Sequence, residues 1–563
     1  MRLPDPYRPE AAVVADRLGV LAGTLVWAAA ARSATPWVQA VRDNPPPFWA
    51  MESLLKEYPI SSAEGLALMR LAEALLRVPD AETAIALTAD QLGRADFEAA
   101  GDKALARLSS TAIAMSKKFL PDADATTGLL GKLGARSVVA ATLRAVQLLG
   151  RQFVLGQTIT EGMGEAAAAQ CKMRNLRYSY DMLGEGARTE ADAQKYLASY
   201  RNAIASIAKG ADSAGACEHN DGISIKLSAL HPRYEDAQMQ RVMAELVPRV
   251  WGLCGLAARA NINLTIDAEE VDRLELSLEV FEALATRVAL YFPAWTGFGL
   301  AMQAYQTRAQ ELIAHIATIA RSKGIRLMCR LVKGAYWDAE IKRAQEMGLV
   351  AYPVFTHKHH TDISYLACAR ALLDASDVIY PQFATHNAAT IAAILQMAAR
   401  SGAQAAAPGR PKQGTAPLGG SVVRAAFSKS GEATSVGAQF ELQRLHGMGE
   451  GVYREVLKNP LIACRVYAPV GAHKDLLAYL VRRLLENGAN SSFVHQLADE
   501  SVGMDELLIS PLRLEPQSAL PLPPDLFGRA RRNSIGIDLT VDGMRAPLLN
   551  AHGTVRVPEV AVY

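Results

Sequence analysis

The sequence predicts an α/β fold, a (βα)8 TIM-like barrel preceded by an N-terminal all-helical arm. From about Asn175 onward, short β-type runs alternate with amphipathic helical stretches, which is the pattern of βα units around a parallel sheet. The runs number eight, as a closed barrel of this kind requires. Before Gly150 the sequence is rich in Ala and Leu with helical spacing, which predicts helices without strands.

Each candidate strand is a short β-type run bounded by helical sequence. The eight runs cover residues 176–183, 222–230, 262–269, 297–305, 325–334, 378–386, 439–447 and 464–471. Stretches such as AQMQRVMAELVPRVWGLCGLAARA and DISYLACARALLDA separate them and predict helices. A parallel barrel with helices on its outside is the simplest fold that uses all of these elements.

Composition divides the chain into three predicted regions. Residues 1–150 form the helical arm and a linker, residues 151–500 the barrel, and residues 501–563 a Pro-containing C-terminal linker toward a missing domain. Residues 402–437 are rich in Ala, Gly, Pro and Ser, and predict a flexible insertion between the sixth helix and the seventh strand.

The charge balance argues for a small-molecule partner. Lys and Arg total 59 against 57 Asp and Glu, a formal charge of +2, which gives no electrostatic case for nucleic acid or an anionic membrane. Six widely spaced cysteines without a CxxC pair fit a reducing cytoplasm. The apolar run from Leu18 to Ala31 is too short to span a bilayer, so we predict one buried helix there.

Polar residues collect at the C-terminal ends of the predicted strands, where catalytic groups project in such a barrel. They are Glu185, Lys226, Asp267, Gln303, Arg330, Lys333, Thr385, His386, Gln443 and Tyr467. Lys226 and Asp267 are costly to bury without a partner, and neighbouring strands would let them pair. We interpret them as site residues, with a purely stabilising internal ion pair as the alternative.

The segment LLAYLVRRLLENG predicts a helix with a polar face. Tyr479, Arg482, Arg483 and Glu486 share that face because they are spaced by three or four residues. Two adjacent guanidinium groups beside the eighth strand would suit a substrate carboxylate, since Arg presents a planar pair of donors. A solvated helix face is the alternative that spacing alone allows.

The run HKHH at residues 357–360 raises the question of a metal site. No carboxylate or cysteine has convincing ligand spacing to it, so we predict no metal and a solvent-facing loop. The Gly-rich stretches give no dinucleotide fingerprint after a strand.

Two other classes of function stay open at this point. One is a metal-dependent hydrolase that uses His386, His357 and Asp267, which would require a stoichiometric bound ion. The other is a non-catalytic binding scaffold, in which the insertion at 402–437 mediates contacts.

Seven long motifs stand in order between about residues 150 and 500. They are RYSYDMLGE, GISIKLSALHPRY, IDAEEVDRLE, RLVKGAYWDAEIKRAQ, YPQFATHNA, LHGMGE and VYAPVGAHKDLLAYLVRRLLENGANSSFV. With these motifs the chain resembles the proline dehydrogenase half of the PutA family of bifunctional, proline-catabolic flavoenzymes.

The resemblance implies FAD at the barrel mouth and the oxidation of L-proline to Δ1-pyrroline-5-carboxylate, the first step of proline catabolism to glutamate. The catalytic group it implies is Lys226, Asp267, Tyr467, Arg482 and Arg483. Both arginines would hold the proline carboxylate together with Lys226, and Glu185 would pair with Arg482 as a gate. Tyr336, Leu445 and Tyr479 would complete the substrate pocket.

The resemblance also implies a set of cofactor contacts. These are Gln303, Arg330, Val332, Lys333, Gly334, Trp337, Thr356, Lys358, Thr385, His386, Asn387, Gln443, Glu486, Ser492 and Phe493. Arg330 would lie near flavin N5, where the hydride arrives, and its charge would favour the reduced anionic ring. Lys333, Lys358 and His386 would suit the pyrophosphate and ribose.

The implied partners follow from the same family. A membrane quinone would accept the electrons, which implies that a cytoplasmic protein contacts the inner membrane peripherally, and a homodimer is the candidate assembly. There is no ribbon-helix-helix sequence at the N-terminus, so we expect no nucleic-acid partner. The chain ends near the point where the family's aldehyde dehydrogenase half would begin, so we expect only the first oxidation.

Overall fold

A closed barrel of eight parallel strands, paired in chain order, forms the centre of the molecule. The computed structural model describes residues 3–45, 154–405, 440–472, 493–499, 501–514 and 520–556. The strands are β1 Leu176–Met182, β2 Gly222–Ile225, β3 Leu264–Ile266, β4 Phe298–Gln303, β5 Leu327–Val332, β6 Ile379–Ala384, β7 Glu441–Leu445 and β8 Cys464–Val470. Every strand lies inside its predicted range, so the barrel prediction is confirmed.

Helices surround the barrel and continue beyond it. In the described residues they are α1 Glu10–Leu21, α2 Trp27–Asp43, α3 Ile159–Lys172, α4 Glu190–Ala208, α5 Met239–Arg259, α6 Leu274–Tyr291, α7 Ala309–Lys323, α8 Trp337–Met347, α9 Lys358–Asp374, α10 Ala388–Ala405, α11 Glu450–Val456, α12 Phe493–Ala498, α13 Met504–Leu507 and α14 Asp542–Thr554. None of these described helices is long and apolar enough to cross a membrane.

Strand alternation separates an apolar layer from a polar barrel interior. Tyr178 and Tyr180 of β1 belong to the hydrophobic core, most of which lies between the strands and the surrounding helices. Ser179 and Asp181 of the same strand contact side chains of other strands across the interior. The fold therefore brings ionisable side chains of several strands together inside the barrel.

Part of the predicted helical arm lies on the outside of the barrel. Helix α1 packs against α9, and α2 packs against α10 and α11. The buried guanidinium of Arg17 lies 2.7 Å from Glu311 of α7 and fixes the arm further. These contacts place the first residue of α1, Glu10, beside the N-terminus of α9.

The prediction of one helix from Leu18 to Ala31 was wrong. Helix α1 ends at Leu21 and α2 begins at Trp27. Gly23 lies in the turn between them with φ of +71°, a left-handed conformation that glycine adopts without steric cost. An apolar run alone does not reveal such a turn, because both helices bury apolar residues.

The boundaries of the three predicted regions stay predictions. Most of the predicted insertion at 402–437 lies outside the described residues, and its first four residues complete α10. In the C-terminal region the described residues contain α13, α14 and short 3-10 turns. Asp538 there accepts a hydrogen bond from Tyr7 at 2.5 Å.

Candidate active site

A hydrogen-bonded cluster lies at the C-terminal ends of β1, β2, β3 and β8. The Lys226 ammonium lies 2.7 Å from Asp181 Oδ1, 3.3 Å from Asp267 Oδ2 and 3.2 Å from the Tyr467 hydroxyl. Tyr467 in turn donates to Asp267 Oδ2 at 2.7 Å. Lys226 and Asp267 directly follow β2 and β3, so strand ends position both groups.

Arg330 of β5 joins this cluster from the opposite side of the barrel. Its guanidinium donates to Asp267 Oδ1 at 2.8 Å and to Gln443 Oε1 at 2.8 Å. It also donates to Ser179 and Ser224, at 3.1 and 2.9 Å. One arginine thus connects β1, β2, β3, β5 and β7 at the level of the site.

Electrostatics fix the protonation states of the cluster. Burial opposes the charge on Lys226, yet Asp181, Tyr467 and Asp267 raise its pKa well above the ordinary value. Burial and the nearby carboxylates raise the pKa of Tyr467 well above that of a free phenol. Burial raises the pKa of Asp181 as well, against the effect of Lys226. The site therefore presents a cationic amine and a neutral phenol throughout the physiological pH range.

The loop after β5 and the residues near it form one side of the barrel mouth. Gln303 holds this loop by accepting from the Ala335 amide at 3.2 Å, and it donates to the Glu269 carbonyl at 2.8 Å. Gly334 has φ of +148°, and a Cβ there would lie 2.4 Å from the Tyr305 ring, so only glycine fits. Trp337 donates its indole N–H to the Phe355 carbonyl.

Two lysines at this mouth lie close enough to affect each other. Lys333 forms an ion pair with Asp362 of α9. Desolvation and the charge of Lys333 lower the pKa of Lys358, the first residue of α9, to about 8. A helix N-terminus with two neighbouring ammonium groups is suited to an anionic ligand.

The loop after β6 meets the end of β7. The Leu445 amide donates to His386 Nε2 at 3.1 Å, and the Thr385 amide donates to the Gln443 carbonyl at 3.2 Å. The Asn387 amide donates to Thr385 Oγ1 at 3.2 Å. The loop is therefore held by the neighbouring strand.

The other predicted site residues divide into described and undescribed positions. Glu185 lies half-buried after β1, Val332 ends β5, Tyr336 precedes α8, and Phe493 is buried at the start of α12. Tyr479, Arg482, Arg483, Glu486 and Ser492 lie outside the described residues.

One sequence-based interpretation at the barrel mouth was wrong. The HKHH run is not a solvent-facing loop, because three of its residues begin α9 and His360 is buried. Thr356 donates its hydroxyl to Glu10 at 2.7 Å, and its role as a cofactor contact stays a prediction. The metal hydrolase alternative is not supported either, because Asp267 is paired with Lys226 and Arg330 while His386 accepts from Leu445.

Sequence reasoning missed three polar residues of the cluster: Asp181, Ser179 and Ser224. A signal was present, because Ser179 and Asp181 have the same parity in β1, and strand residues of one parity share one face. Asp181 is only 1% exposed and is the closest carboxylate to Lys226. The buried charge of Lys226 therefore depends on two carboxylates rather than one.

A parallel barrel that gathers such groups at its strand ends defines the chain as a (βα)8-barrel enzyme. A family model described as proline dehydrogenase matches residues 165–408 and 421–496. The chain belongs to the proline dehydrogenase family. The gap between the two matched stretches lies within the insertion predicted at 402–437.

Curated relatives and solved structures agree with this assignment. The chain is 44% identical to the bifunctional protein PutA of Klebsiella aerogenes over 88% of its length, and 44% identical to that of Escherichia coli over 89%. It spans 37% of the length of each of these relatives. A crystal structure of Bradyrhizobium japonicum Proline Utilization A (PutA) matches with a TM-score of 0.71 and 42% identity, over 99% of this chain and 54% of that one.

A second family model disagrees with the expectation that the chain has no nucleic-acid partner. It is described as the DNA-binding domain of proline dehydrogenase and matches residues 50–153. All of that stretch lies outside the described residues. The expectation that no nucleic acid is bound therefore has no support from the comparisons.

Proposed function

We propose that the chain oxidises L-proline to Δ1-pyrroline-5-carboxylate with FAD and passes the electrons to a membrane quinone. Membership of the proline dehydrogenase family supports proline oxidation as the first step of proline catabolism. The observation that carries the proposal is the buried cluster of Lys226, Asp267, Tyr467 and Arg330 at the strand ends. A cationic amine at that place would bind the carboxylate of a small amino acid.

The described residues fit FAD by the chemistry of their donors. The Lys333 and Lys358 ammonium groups are close enough that one lowers the pKa of the other, and a pyrophosphate between them would relieve that repulsion. Arg330 and the carboxamide of Gln443 would supply donors for the polar edge of the flavin. FAD, when bound, supplies the hydride acceptor of the reaction.

The residues of the chain would bind and orient the substrate. Lys226 stays protonated and would contact the proline carboxylate, together with Arg482 and Arg483. Asp267 would help to orient the substrate and would not abstract a proton, because its two oxygens accept hydrogen bonds from Arg330, Lys226 and Tyr467. Tyr467 stays a neutral phenol and would close the pocket beside the ring of the substrate. Holding a rigid ring in one orientation aims a single C–H bond at the acceptor.

An anaerobic absorption spectrum tests the proposal directly. The purified chain should show a flavin spectrum that bleaches when L-proline is added. Arg482→Ala and Arg483→Ala should each raise the proline concentration needed for half-maximal bleaching and leave the oxidised spectrum unchanged. A flavin spectrum that proline leaves oxidised would refute the substrate, and a colourless protein that takes up no FAD would refute the whole proposal.

The finer statements about partners are part of the same proposal. A quinone acceptor, peripheral contact with the inner membrane from a cytoplasmic location, and a homodimer rest on the family resemblance. The measurements are proline-dependent reduction of a soluble ubiquinone analogue, sedimentation with vesicles of inner-membrane lipids, and light scattering of the purified chain.

DNA binding is the second candidate function, because the family model at residues 50–153 favours it. Its weakness is electrostatic, since this stretch has twelve acidic and twelve basic residues and no basic excess. Fluorescence anisotropy of a labelled duplex should show salt-dependent binding by the full chain if this stretch contacts phosphates. Anisotropy that does not change at low salt would exclude it.

A further inference from the structure

Three ionisable side chains converge where the arm meets the barrel, away from the Lys226 cluster. Glu10 is the first residue of α1, and His357 and His360 lie at the start of α9. One ligand atom from each of the three lies within 4.8 Å of the other two. His360 and Glu10 are 350 residues apart in sequence, which is why spacing along the chain gave no carboxylate for the HKHH run.

The two imidazoles face the same carboxylate oxygen. His360 Nδ1 lies 2.5 Å from Glu10 Oε1, and His357 Nδ1 lies 3.5 Å from the same atom. The two rings are 4.8 Å apart between centroids and inclined at 57°. His357 Nδ1 also lies 3.0 Å from Thr356 Oγ1, so protons connect these atoms as hydrogen bonds. A metal ion that displaced those protons would meet one nitrogen or oxygen atom of each side chain within one small volume.

The surroundings hold this arrangement in place. The Thr356 amide and hydroxyl donate to Glu10 at 3.0 and 2.7 Å, so the carboxylate is oriented from behind as metal-binding carboxylates commonly are. The ring of His359 lies 4.3 Å from that of His360, and its Nε2 is buried without a hydrogen-bond partner in the described structure. A polar atom in that situation is unusual enough to require an explanation.

We propose that Glu10, His357 and His360 bind one divalent first-row transition cation of the Zn²⁺ class. Two imidazoles and one carboxylate are a common zinc ligand set that leaves a fourth position for water or for His359. The nitrogen ligands disfavour Mg²⁺ and Ca²⁺, which prefer oxygen. Coordination bonds of about 2.1 Å would require Glu10 Oε1 and His360 Nδ1 to separate to about 3.4 Å, a small rotation of either side chain.

The proposed site has a structural consequence for the barrel mouth. It would bond α1 to α9 directly beside Thr356 and Lys358, two of the predicted cofactor contacts. Because the ligands come from distant parts of the chain, the metal would bind the folded state only, and its binding free energy would add to stability. No step of proline oxidation depends on it.

Zinc titration of the purified chain tests the proposal. After removal of metals with a chelator, Zn²⁺ is added in competition with a chromophoric chelator at pH 7.5. We expect one equivalent bound per chain, and at least a hundredfold weaker affinity in His357→Ala/His360→Ala. Glu10→Gln keeps an acceptor for Thr356 but removes the anionic ligand, and should weaken binding at least tenfold. His219→Ala, at an exposed histidine elsewhere, is the matched control and should bind as the unaltered chain does.

Each outcome decides between a metal site and a hydrogen-bonded contact. If Glu10→Gln binds zinc as tightly as the unaltered chain, the histidine run alone binds the metal and the proposal is wrong. If the unaltered chain binds no more zinc than the double variant, Glu10 is only a hydrogen-bonding partner of α9. Should the double variant not fold, anomalous diffraction at the zinc edge from crystals of the unaltered chain settles it, with a peak between the three residues or none there.

Discussion

Two charged clusters lie inside the same barrel, and they differ in what their charges contact. Deeper in the barrel, Arg465 and Glu441 are fully buried and form an ion pair at 2.7 Å. Arg465 also donates to the backbone carbonyls of Tyr178, Asn220 and Glu218. Two residues further along β8, Tyr467 belongs to the Lys226 cluster. Among the described residues, the charged groups of that cluster form their hydrogen bonds with side chains.

From this difference we infer a structural role for the Arg465–Glu441 pair and propose a functional role for the Lys226 cluster. Backbone carbonyls cannot move without moving strands, so Arg465 fixes the relative position of β1, β8 and the loop before β2. Side-chain partners can reorient when a ligand binds, so the Lys226 cluster can exchange some of its internal contacts for contacts with a substrate. The alternative that Lys226 and Asp267 form only a stabilising ion pair thus describes the Arg465 pair better than it describes them.

The largest expected effect on stability comes from breaking the Arg465–Glu441 ion pair. Arg465→Met leaves Glu441 buried and uncompensated, and should lower the free energy of unfolding by about 3–5 kcal/mol. Urea denaturation followed by circular dichroism measures it. The double variant Arg465→Met/Glu441→Leu removes both charges and should recover part of the loss. No recovery would mean that the carbonyl contacts, rather than the ion pair, dominate.

Removing the amine of Lys226 should weaken substrate binding more than it lowers the stability of the fold. Lys226→Met should raise the proline concentration for half-maximal flavin reduction by about a hundredfold, as loss of a buried charge contact of about 3 kcal/mol implies. Stopped-flow absorbance measures this. The flavin content of the variant is the control. If unfolding is as strongly affected as in Arg465→Met while proline binding is unchanged, the two clusters do not differ in role.

A further buried acid, Glu340, shows what happens without a hydrogen-bonded cationic partner of the Arg465 kind. Burial raises the pKa of Glu340 to about 7, although the Val271 amide donates to it at 2.8 Å. The unfolded state then holds fewer protons between about pH 4.5 and 7, so stability falls as pH rises through that range. Glu340→Gln should abolish this dependence and stabilise the chain by up to ~3 kcal/mol at pH 8. The measurement is the urea midpoint of the unaltered chain and of Glu340→Gln at pH 5 and pH 8. An equal change of midpoint between the two pH values in both proteins would contradict the prediction.

The smallest expected effect comes from removing one hydroxyl of the Lys226 cluster, that of Tyr467. Tyr467→Phe removes the 2.7 Å hydrogen bond to Asp267 and the contact with Lys226. We expect about a tenfold weaker apparent affinity for proline, or ~1.4 kcal/mol. Steady-state kinetics should show the change in KM with little change in the unfolding midpoint. Tyr178→Phe is the matched control, because Tyr178 lies on the face of β1 that packs in the hydrophobic core and not on the face that points into the barrel.

Sequence reasoning named most residues of the hydrogen-bonded cluster but not all of their contacts. Lys226, Asp267, Arg330, Gln443 and Tyr467 were all predicted, and the structure joins them in one network. The pairing of Lys226 with Asp267 was expected from their neighbouring strands. The contacts of Arg330 with Asp267 and Gln443 could not be read from the chain, because they depend on which strands face each other across the barrel. The family resemblance pointed to their roles, which spacing alone could not assign.

The sequence by itself determined the eight strands and the barrel, because alternating periodicity is a local property that survives in any context. Only the tertiary structure decided which charges meet. Asp181 joined Lys226 through strand pairing, and Glu10 reached His360 across 350 residues through the packing of α1 on α9. Local patterns fix the conformation of a segment, whereas contacts between segments depend on how the whole chain packs, and the chemistry of this protein lies in those contacts.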